Sequence, residues 1–362
     1  MHAPHVGGRL QETIMKKMVF GALLAACATA VVAAPDLQKD HFKVIGITST
    51  IPAAIYDEKP FWTETLSKDS GGQLTADLTP IEQMGLDDQS MLRLMKMGVM
   101  DFAGMDITRM AGDDPRFEAC DLAGTLPEVD QARQACNAYK DVLRERMEKN
   151  WNSKLLAIGA STPQVFWCRD NVTSLAELKG KKIRVFNNTL RDFISGLGAT
   201  SVSIAFSEVV PALNNGVVDC AVTGTLSGNT AGLPEVTKSV FMLPLGWSFN
   251  AVAVNKKRWD ALPEATRQFL TDEFAAYEDK MWATLHTGIE QAALCNTSAP
   301  GCTMGKPEKV ALNPPSAADL ELARKIVADS VLPGWARRCG TDCVTEWNAR
   351  IGKVTGHSIT LK

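Results

Sequence analysis

Short apolar runs alternate with helical patterns along the first part of the chain. Residues 42–48 are rich in β-branched and apolar side chains, and residues 54–68 carry apolar side chains at helical spacing. Residues 74–78 resume a strand pattern, residues 87–98 return to helical spacing, and a short apolar run follows at residues 100–103. Alternating strands and helices are typical of a largely parallel sheet covered on both faces. The pattern therefore predicts the α/β class.

The same alternation begins again in the middle of the chain. Apolar runs at residues 155–158 and 165–169 open it, and further strand and helix patterns follow. Residues 251–255 form another strand pattern, which we interpret as a return to the first domain. A long helical pattern then runs from Pro263 to Gln291. Proline is compatible with its first position, because the first turn of a helix does not need the missing N–H.

Two segments of the chain repeat one another. Residues 95–103 read M-K-M-G-V-M-D-F-A, and residues 213–221 read L-N-N-G-V-V-D-C-A. In both, a glycine (Gly98 or Gly216) follows the last helical turn, where it can take the left-handed conformation that ends a helix. A G-V-x-D segment is also a common connection from helix to strand. Two copies nevertheless favour two similar α/β domains.

These patterns predict two lobes joined by a hinge near Thr162 and Phe249, because the chain crosses between the lobes more than once. A ligand is expected in the cleft between the lobes. The predicted segments are a leader and signal peptide at 1–34, the N-terminal part of domain I at 35–161, domain II with the ligand site at 162–249, a return to domain I with the long helix at 250–290, and a C-terminal helical segment that contains cysteines at 291–362.

The N-terminal region has the layout of a secretory signal. Lys16 and Lys17 precede an apolar run at residues 18–26, and small residues continue to Ala34. A transmembrane helix is the alternative, but polar residues rather than a positively charged stop signal follow the run. We expect an exported, periplasmic protein cleaved after Ala34, although the segment before Cys27 also resembles a lipoprotein box.

Charge and motifs exclude several classes of function. The 38 Lys and Arg residues face 41 Asp and Glu residues with both signs mixed along the chain, so a nucleic-acid partner is not expected. The sequence contains no G-x-S-x-G, H-E-x-x-H or phosphate-loop motif. We therefore predict a protein without catalytic residues, metal or cofactor.

Eight cysteines remain once Cys27 is set aside, and an even number in an oxidising compartment indicates disulfides. Two pairs close short loops, and the other two pairs follow by elimination. Zinc is the alternative, but there is no Cys-x2-Cys pair. The predicted disulfides are Cys295/Cys302, Cys339/Cys343, Cys120/Cys136 and Cys168/Cys220.

Motifs between Ser174 and Ala221 resemble the solute-binding subunits of tripartite ATP-independent periplasmic (TRAP) transporters of the DctP type. Residues 175–185 resemble that family's S-L-x-D-L-K-G-x-K-I-R-V segment, and the motifs at residues 197–200, 206–209 and 212–219 follow in the family's order. The resemblance implies a two-lobed periplasmic binding protein fold, type II-like. It also implies a small organic carboxylate as ligand, with the small and large integral membrane subunits of a TRAP transporter as partners.

By resemblance, Arg184 stands at the family's arginine that pairs with the ligand carboxylate, and a guanidinium has parallel donors suited to a carboxylate. Its alternative is a surface arginine at the end of a strand. A second arginine of many members is replaced here by glutamine, which argues against a tightly held dicarboxylate. The other predicted ligand residues are Asn187, Asn188, Asp106, Gln164 and Thr223, with Phe166 and Trp247 as an aromatic wall.

Two other functions compete with this interpretation. Solute-binding proteins of ATP-driven (ABC) importers share the two-lobed design, and only the motifs at residues 179–185 and 206–219 separate them from the TRAP reading. A structural or chaperone-like envelope protein is the second alternative, but it would have no need for two α/β lobes.

Overall fold

The computed structural model describes residues 37–360. The predicted leader, the signal peptide and Cys27 lie outside the described residues. The described residues lie within one compact unit. Within residues 37–360, no helix combines the length and the apolar character that a membrane span requires.

Two mixed sheets form the framework. The first has the strand order β2-β1-β3-β10-β4, and the second has the order β11-β9-β5-β8-β6-β7. The strands are β1 Asp40–Gly46, β2 Leu74–Pro80, β3 Phe102–Asp106, β4 Ser153–Ala160, β5 Gln164–Cys168, β6 Lys182–Val185, β7 Thr200–Ser203, β8 Cys220–Gly224, β9 Ser239–Phe241, β10 Phe249–Asn255 and β11 Ala311–Asn313.

Each sheet contains one strand that runs against its neighbours. Strand β10 is antiparallel to β3 and β4, and β5 is antiparallel to β8 and β9. The remaining strand pairs are parallel, as the expectation of largely parallel sheets predicts, and the two exceptions are the strands that enter their sheets just after the chain crosses between the sheets. The run at residues 155–158 lies in β4 of the first sheet rather than opening a second alternation, since its partner is β10.

The helices cover both sheets. The first two helical segments, Ala53–Glu58 and Phe61–Thr65, are wound as π-helix and continue into α1. The α-helices are α1 Leu66–Asp69, α2 Ile81–Met84, α3 Asp88–Lys96, α4 Val129–Trp151, α5 Asn188–Gly196, α6 Val209–Asn214, α7 Thr225–Thr230, α8 Lys256–Asp260, α9 Glu264–Asn296, α10 Ala317–Ile326, α11 Leu332–Cys339 and α12 Thr341–Thr355.

The long helix α9 packs along the first sheet and reaches the second. Its Phe274 and Tyr277 lie 5.0 and 4.8 Å from the ring of Phe61, within an aromatic core. At its far end, Asn296 Oδ1 accepts a hydrogen bond from Asn229 Nδ2 of α7 at 2.9 Å. One long helix therefore packs on the first sheet and is also tied to α7, the helix that follows β8 of the second sheet.

The sequence repeat has the same local structure in both sheets. Gly98 and Gly216 have φ angles of 77° and 71°, in the left-handed region that ends a helix. Three residues later, Asp101 Oδ2 accepts the backbone N–H of Lys43 at 2.8 Å, and Asp219 Oδ2 accepts that of Lys182 at 2.8 Å. In both copies of the repeat, the aspartate thus links the start of its strand to the parallel strand beside it.

Three of the four predicted disulfides are confirmed: Cys168–Cys220, Cys295–Cys302 and Cys339–Cys343. The prediction of Cys120/Cys136 is wrong, because both are free, buried cysteines. Burial, with the neighbouring thiol of Cys136, raises the pKa of Cys120 well above its ordinary value. The protonated thiol is the unreactive form, so a shielded pair of this kind resists oxidation.

Candidate functional site

A cavity of about 160 Å³ lies between the two sheets, at the carboxyl ends of parallel strands in both. Ligands of open α/β sheets bind at such ends, where loops diverge. We call the residues that follow β1, β2 and β3 the first wall, and the residues in and after β6, β7 and β8 the second wall. The first wall includes Glu82, Asp87, Asp88, Asp106 and Arg109, and the second wall includes Arg184, Phe186, Phe206 and Thr223.

Arg184 is the central cation of the second wall and is 1% exposed. Its Nε donates to the carbonyl oxygen of Ile204 at 3.0 Å, and its Nη1 donates to that of Val222 at 3.0 Å. Its Nη2 is buried and has no hydrogen-bond partner. The two backbone bonds fix the guanidinium plane, and they leave one donor nitrogen unused.

The position of Arg184 follows from its strand. Strand β6 lies between β7 and β8, with Arg184 paired to Val202 on one side and Ala221 on the other. Burial, followed by repulsion from Arg109, lowers the pKa of Arg184 to about 9. The side chain therefore stays charged at neutral pH. Within the described residues, no carboxylate oxygen lies within 4.0 Å of it, and the attraction of the more distant Asp106 only partly offsets the lowering of its pKa.

Two phenyl rings flank Arg184. The guanidinium carbon lies 5.5 Å from the ring centre of Phe186 and 5.8 Å from that of Phe206. Both distances fall in the range of cation–π attraction, which favours the charged form. The rings also limit the access of water, so an anion that meets Arg184 would do so in a partly desolvated environment.

The first wall holds its own arginine between carboxylates. Arg109 Nε lies 3.4 Å from Asp88 Oδ2 and 4.0 Å from Asp106 Oδ2. Burial raises the pKa of Asp88 to about 6, although Arg109 opposes the shift. Asp106 is occupied as well, since its Oδ1 accepts from Thr108 and its Oδ2 accepts from Ser248 Oγ at 2.9 Å. The charge of Arg109 is thus already neutralised.

The structure brings four of the predicted ligand residues to the cavity: Arg184, Asp106, Gln164 and Thr223. Gln164 Nε2 donates to the carbonyl oxygen of Thr162 at 2.9 Å, which orients the amide. Thr223 lies in β8 opposite Val165 of β5. These four residues therefore bring a cation, a carboxylate and two neutral polar groups to the same cavity.

The other four predicted residues lie elsewhere. Asn187 and Asn188 line a neighbouring depression. Asn187 Oδ1 caps α5 by accepting the N–H of Leu190 at 2.9 Å. Phe166 packs in the core of the second sheet. Trp247 is also buried, and its Nε1 donates to the carbonyl oxygen of Leu126 at 2.8 Å. Neither aromatic residue lines the cavity.

Sequence reasoning found Asp106 but missed the other charged residues of the first wall and the two rings beside Arg184. Asp88 was recognised only as a helix start, and Arg109 lies in no periodic pattern. The signal for Phe186 was its position directly after the strand of Arg184. Glu82 offered no signal, because its partner Ser49 is 33 positions earlier in the chain.

The fold and the cavity define a two-sheet solute-binding protein, and the family can now be stated. The sequence model of the DctP family, described as "Bacterial extracellular solute-binding protein, family 7", matches residues 53–328. The chain belongs to this family. The resemblance to TRAP solute-binding proteins is thereby confirmed, and the ABC alternative finds no support in the matches.

Curated relatives and solved structures extend the comparison. The C4-dicarboxylate-binding periplasmic protein DctP of Rhodobacter capsulatus is 25% identical over 226 residues, which cover 60% of this chain and 65% of the relative. The ectoine-binding periplasmic protein TeaA of Halomonas elongata is 27% identical over 127 residues, covering 34% of this chain and 37% of the relative. The matched part of the chain thus spans less than two thirds of either relative.

Solved structures share the fold at low identity. A sugar acid binding protein of Advenella mimigardefordensis in complex with galactonate has a TM-score of 0.77 at 18% identity, covering 88% of this chain and 100% of that one. An extracytoplasmic solute receptor of Bordetella pertussis that binds pyroglutamic acid has a TM-score of 0.74 at 18% identity, with the same coverage. These likenesses confirm the two-lobed α/β fold.

Proposed function

We propose that this protein captures a small organic carboxylate in the cavity between its two sheets and delivers it to the membrane subunits of a TRAP transporter. The family supports solute binding as the role, and similar proteins bind organic acids such as galactonate and pyroglutamic acid. No step of catalysis is part of the proposal. The site of action is the periplasm, where relatives such as the Rhodobacter capsulatus protein act.

The observation that supports the proposal most directly is the unused Nη2 of Arg184. A buried donor without a partner costs free energy, and a charged one costs more. A ligand carboxylate would satisfy that nitrogen and compensate a cation that has no carboxylate of its own among the described residues. Because the site is partly desolvated, the attraction would be stronger than at a water-exposed arginine.

Lobe closure completes the proposed cycle. The chain passes from the first sheet to the second between β4 and β5, and it returns between β9 and β10. The chain crosses to the second sheet once more to add β11 at its edge. We propose residues 162–249 as the main part of the second lobe, with hinges near Thr162 and Phe249 that close the cleft over the ligand. Small-angle scattering with saturating ligand should then give a smaller radius of gyration.

Arg184→Ala is the test of the site. Removing one partner of a desolvated charge pair typically costs about 2 to 5 kcal/mol, so we expect an affinity loss of roughly thirtyfold or more for the best acid from a panel of small carboxylates, measured by titration calorimetry. Arg184→Lys should restore part of the affinity, because it keeps the charge but not the planar donors.

Arg191→Ala is the matched control, since Arg191 is an exposed arginine on the helix that follows β6. Its affinity should equal that of the unaltered protein. If Arg184→Ala binds the same acid within about twofold of the unaltered protein, Arg184 is not the carboxylate site.

A further inference from the structure

Two charged side chains in the cavity each have one polar atom without a partner. They are Arg184, through Nη2 on the second wall, and Glu82, through Oε2 on the first wall. The other buried side-chain atoms without partners in the described residues belong to neutral residues outside the cavity lining. The cavity therefore presents an unsatisfied donor on one wall and an unsatisfied acceptor on the other.

Glu82 is held by one oxygen only. It lies in the short helix α2, directly after the end of β2. Its Oε1 accepts the backbone N–H of Ser49 at 3.1 Å and also the Ser49 hydroxyl. Its Oε2 is shielded from solvent with no bond to compensate, which is unfavourable for a carboxylate oxygen until a donor reaches it.

The remaining carboxylates of the first wall are occupied. Asp88 faces Arg109, Asp106 accepts from Thr108 and Ser248, and Asp87 Oδ1 accepts the N–H of Ser90 at 2.7 Å as the cap of α3. Four carboxyl groups thus line the cavity against two guanidinium groups. A second carboxylate on the ligand would add to this excess of negative charge, whereas a donor would relieve it.

We infer that the ligand is an organic acid that carries an N–H or O–H donor away from its carboxylate, and that Glu82 is the residue that selects for this donor. The inference rests on the proposed function, because it takes the carboxylate of the same ligand to be bound at Arg184. The donor group hydrogen-bonds to Glu82 Oε2, so one ligand satisfies both walls. A carboxylate with only an apolar far end leaves Glu82 unsatisfied, and a dicarboxylate is repelled.

Glu82→Gln is a sharp variant for this idea. The Ser49 N–H and hydroxyl hold an oxygen at the Oε1 position, so the glutamine carbonyl takes that place. The amide NH2 then occupies the Oε2 position and presents a donor where the protein now presents an acceptor. The side chain keeps its size, and the preference for the ligand's far end should change.

The probes are straight-chain acids of three to five carbons that differ only at the far end: ammonium, hydroxyl, methyl or a second carboxylate. Titration calorimetry with the unaltered protein should rank ammonium and hydroxyl acids above methyl acids by about tenfold at the best chain length, because a hydrogen bond to a charged group is at stake. The dicarboxylates should bind most weakly. Glu82→Gln should remove the preference for donors and weaken the penalty on dicarboxylates.

Glu64→Gln is the control, since Glu64 is an exposed glutamate elsewhere on the first lobe, and it should keep the ranking of the unaltered protein. Binding that depends on Arg184 but ignores the far end, or a donor preference that survives in Glu82→Gln, overturns this inference and leaves the proposed function standing. If no acid binds in an Arg184-dependent manner, the proposed function is wrong and this inference with it.

Discussion

The two walls of the cavity each contain an arginine, but the surroundings give the two arginines opposite roles. On the first wall, Arg109 lies between Asp88 and Asp106, so its charge is neutralised before any ligand arrives. On the second wall, Arg184 is held by backbone carbonyls of Ile204 and Val222, which accept its protons without cancelling its charge. Backbone carbonyl groups therefore hold a buried arginine without neutralising its charge, whereas neighbouring carboxylates neutralise it.

The walls also differ in how they are built. The second wall rests on β8, which is joined to β5 by Cys168–Cys220 at a directly opposed pair. The described disulfides include none within the first sheet, whose wall relies on ion pairs and on short loops after β1, β2 and β3. The wall with the unpaired guanidinium nitrogen is thus braced by a disulfide, whereas the wall with the paired charges is held by noncovalent contacts among the described residues.

The largest expected effect is on the braced wall. Replacing both Cys168 and Cys220 by alanine should lower the free energy of unfolding by about 2–5 kcal/mol, because the disulfide spans 52 residues and limits the unfolded chain. Urea denaturation measures the change. Removing Cys295–Cys302, which spans only 7 residues, is the control and should cost less. Equal losses of unfolding free energy would show that Cys168–Cys220 stabilises the fold no more than Cys295–Cys302 does.

A smaller effect is expected from the paired arginine. Arg109→Ala should weaken binding of the best acid by only about threefold to tenfold, against thirtyfold or more for Arg184→Ala, because Arg109 already satisfies Asp88 and Asp106. Titration calorimetry of both variants under one set of conditions gives the ratio. A loss with Arg109→Ala as large as that with Arg184→Ala would remove the distinction between the walls.

The smallest effect is a pH dependence of the first wall. The pKa of Asp88 is raised to about 6 by burial, while Arg109 and Asp106 are its charged neighbours. Lowering the pH from about 7.5 to 5.5 protonates Asp88, frees the charge of Arg109, and should strengthen binding of an acid that stays ionised by less than about tenfold. Asp88→Asn should bind with little pH dependence.

The raised pKa of Asp88 also makes the stability of the folded protein depend on pH. Between the ordinary aspartate pKa and about 6, the folded protein holds a proton at Asp88 that the unfolded chain has released. This contribution to stability is therefore present at low pH and is lost as the pH rises through about 6. Thermal unfolding measured between about pH 4 and pH 6 should show a smaller fall in the melting temperature with rising pH for Asp88→Asn than for the unaltered protein. If the melting temperature falls equally in both proteins, the raised pKa of Asp88 is contradicted.

Features that depend on local patterns could be predicted from the sequence. Strand and helix periodicity, the glycines that end α3 and α6, and the repeated aspartates Asp101 and Asp219 predicted the α/β class and two similar sheets. The motif around β6 identified Arg184, and short cysteine spacings identified two disulfides. These features involve residues close in sequence, or a motif long enough to be specific.

The side chains that meet across the cavity could not be predicted in this way, because they come from segments far apart in the chain. Glu82 is held by Ser49, 33 positions away, and Asp106 by Ser248, 142 positions away. Periodicity cannot report such contacts, because it records which face of an element is buried and not what lies opposite. For the same reason, Phe166 and Trp247 were indistinguishable from cavity aromatics, and Cys120 from a disulfide partner. The burial of apolar side chains can be predicted from their spacing along the chain. The pairing of polar groups depends on which distant segments pack together, and spacing carries no information about that.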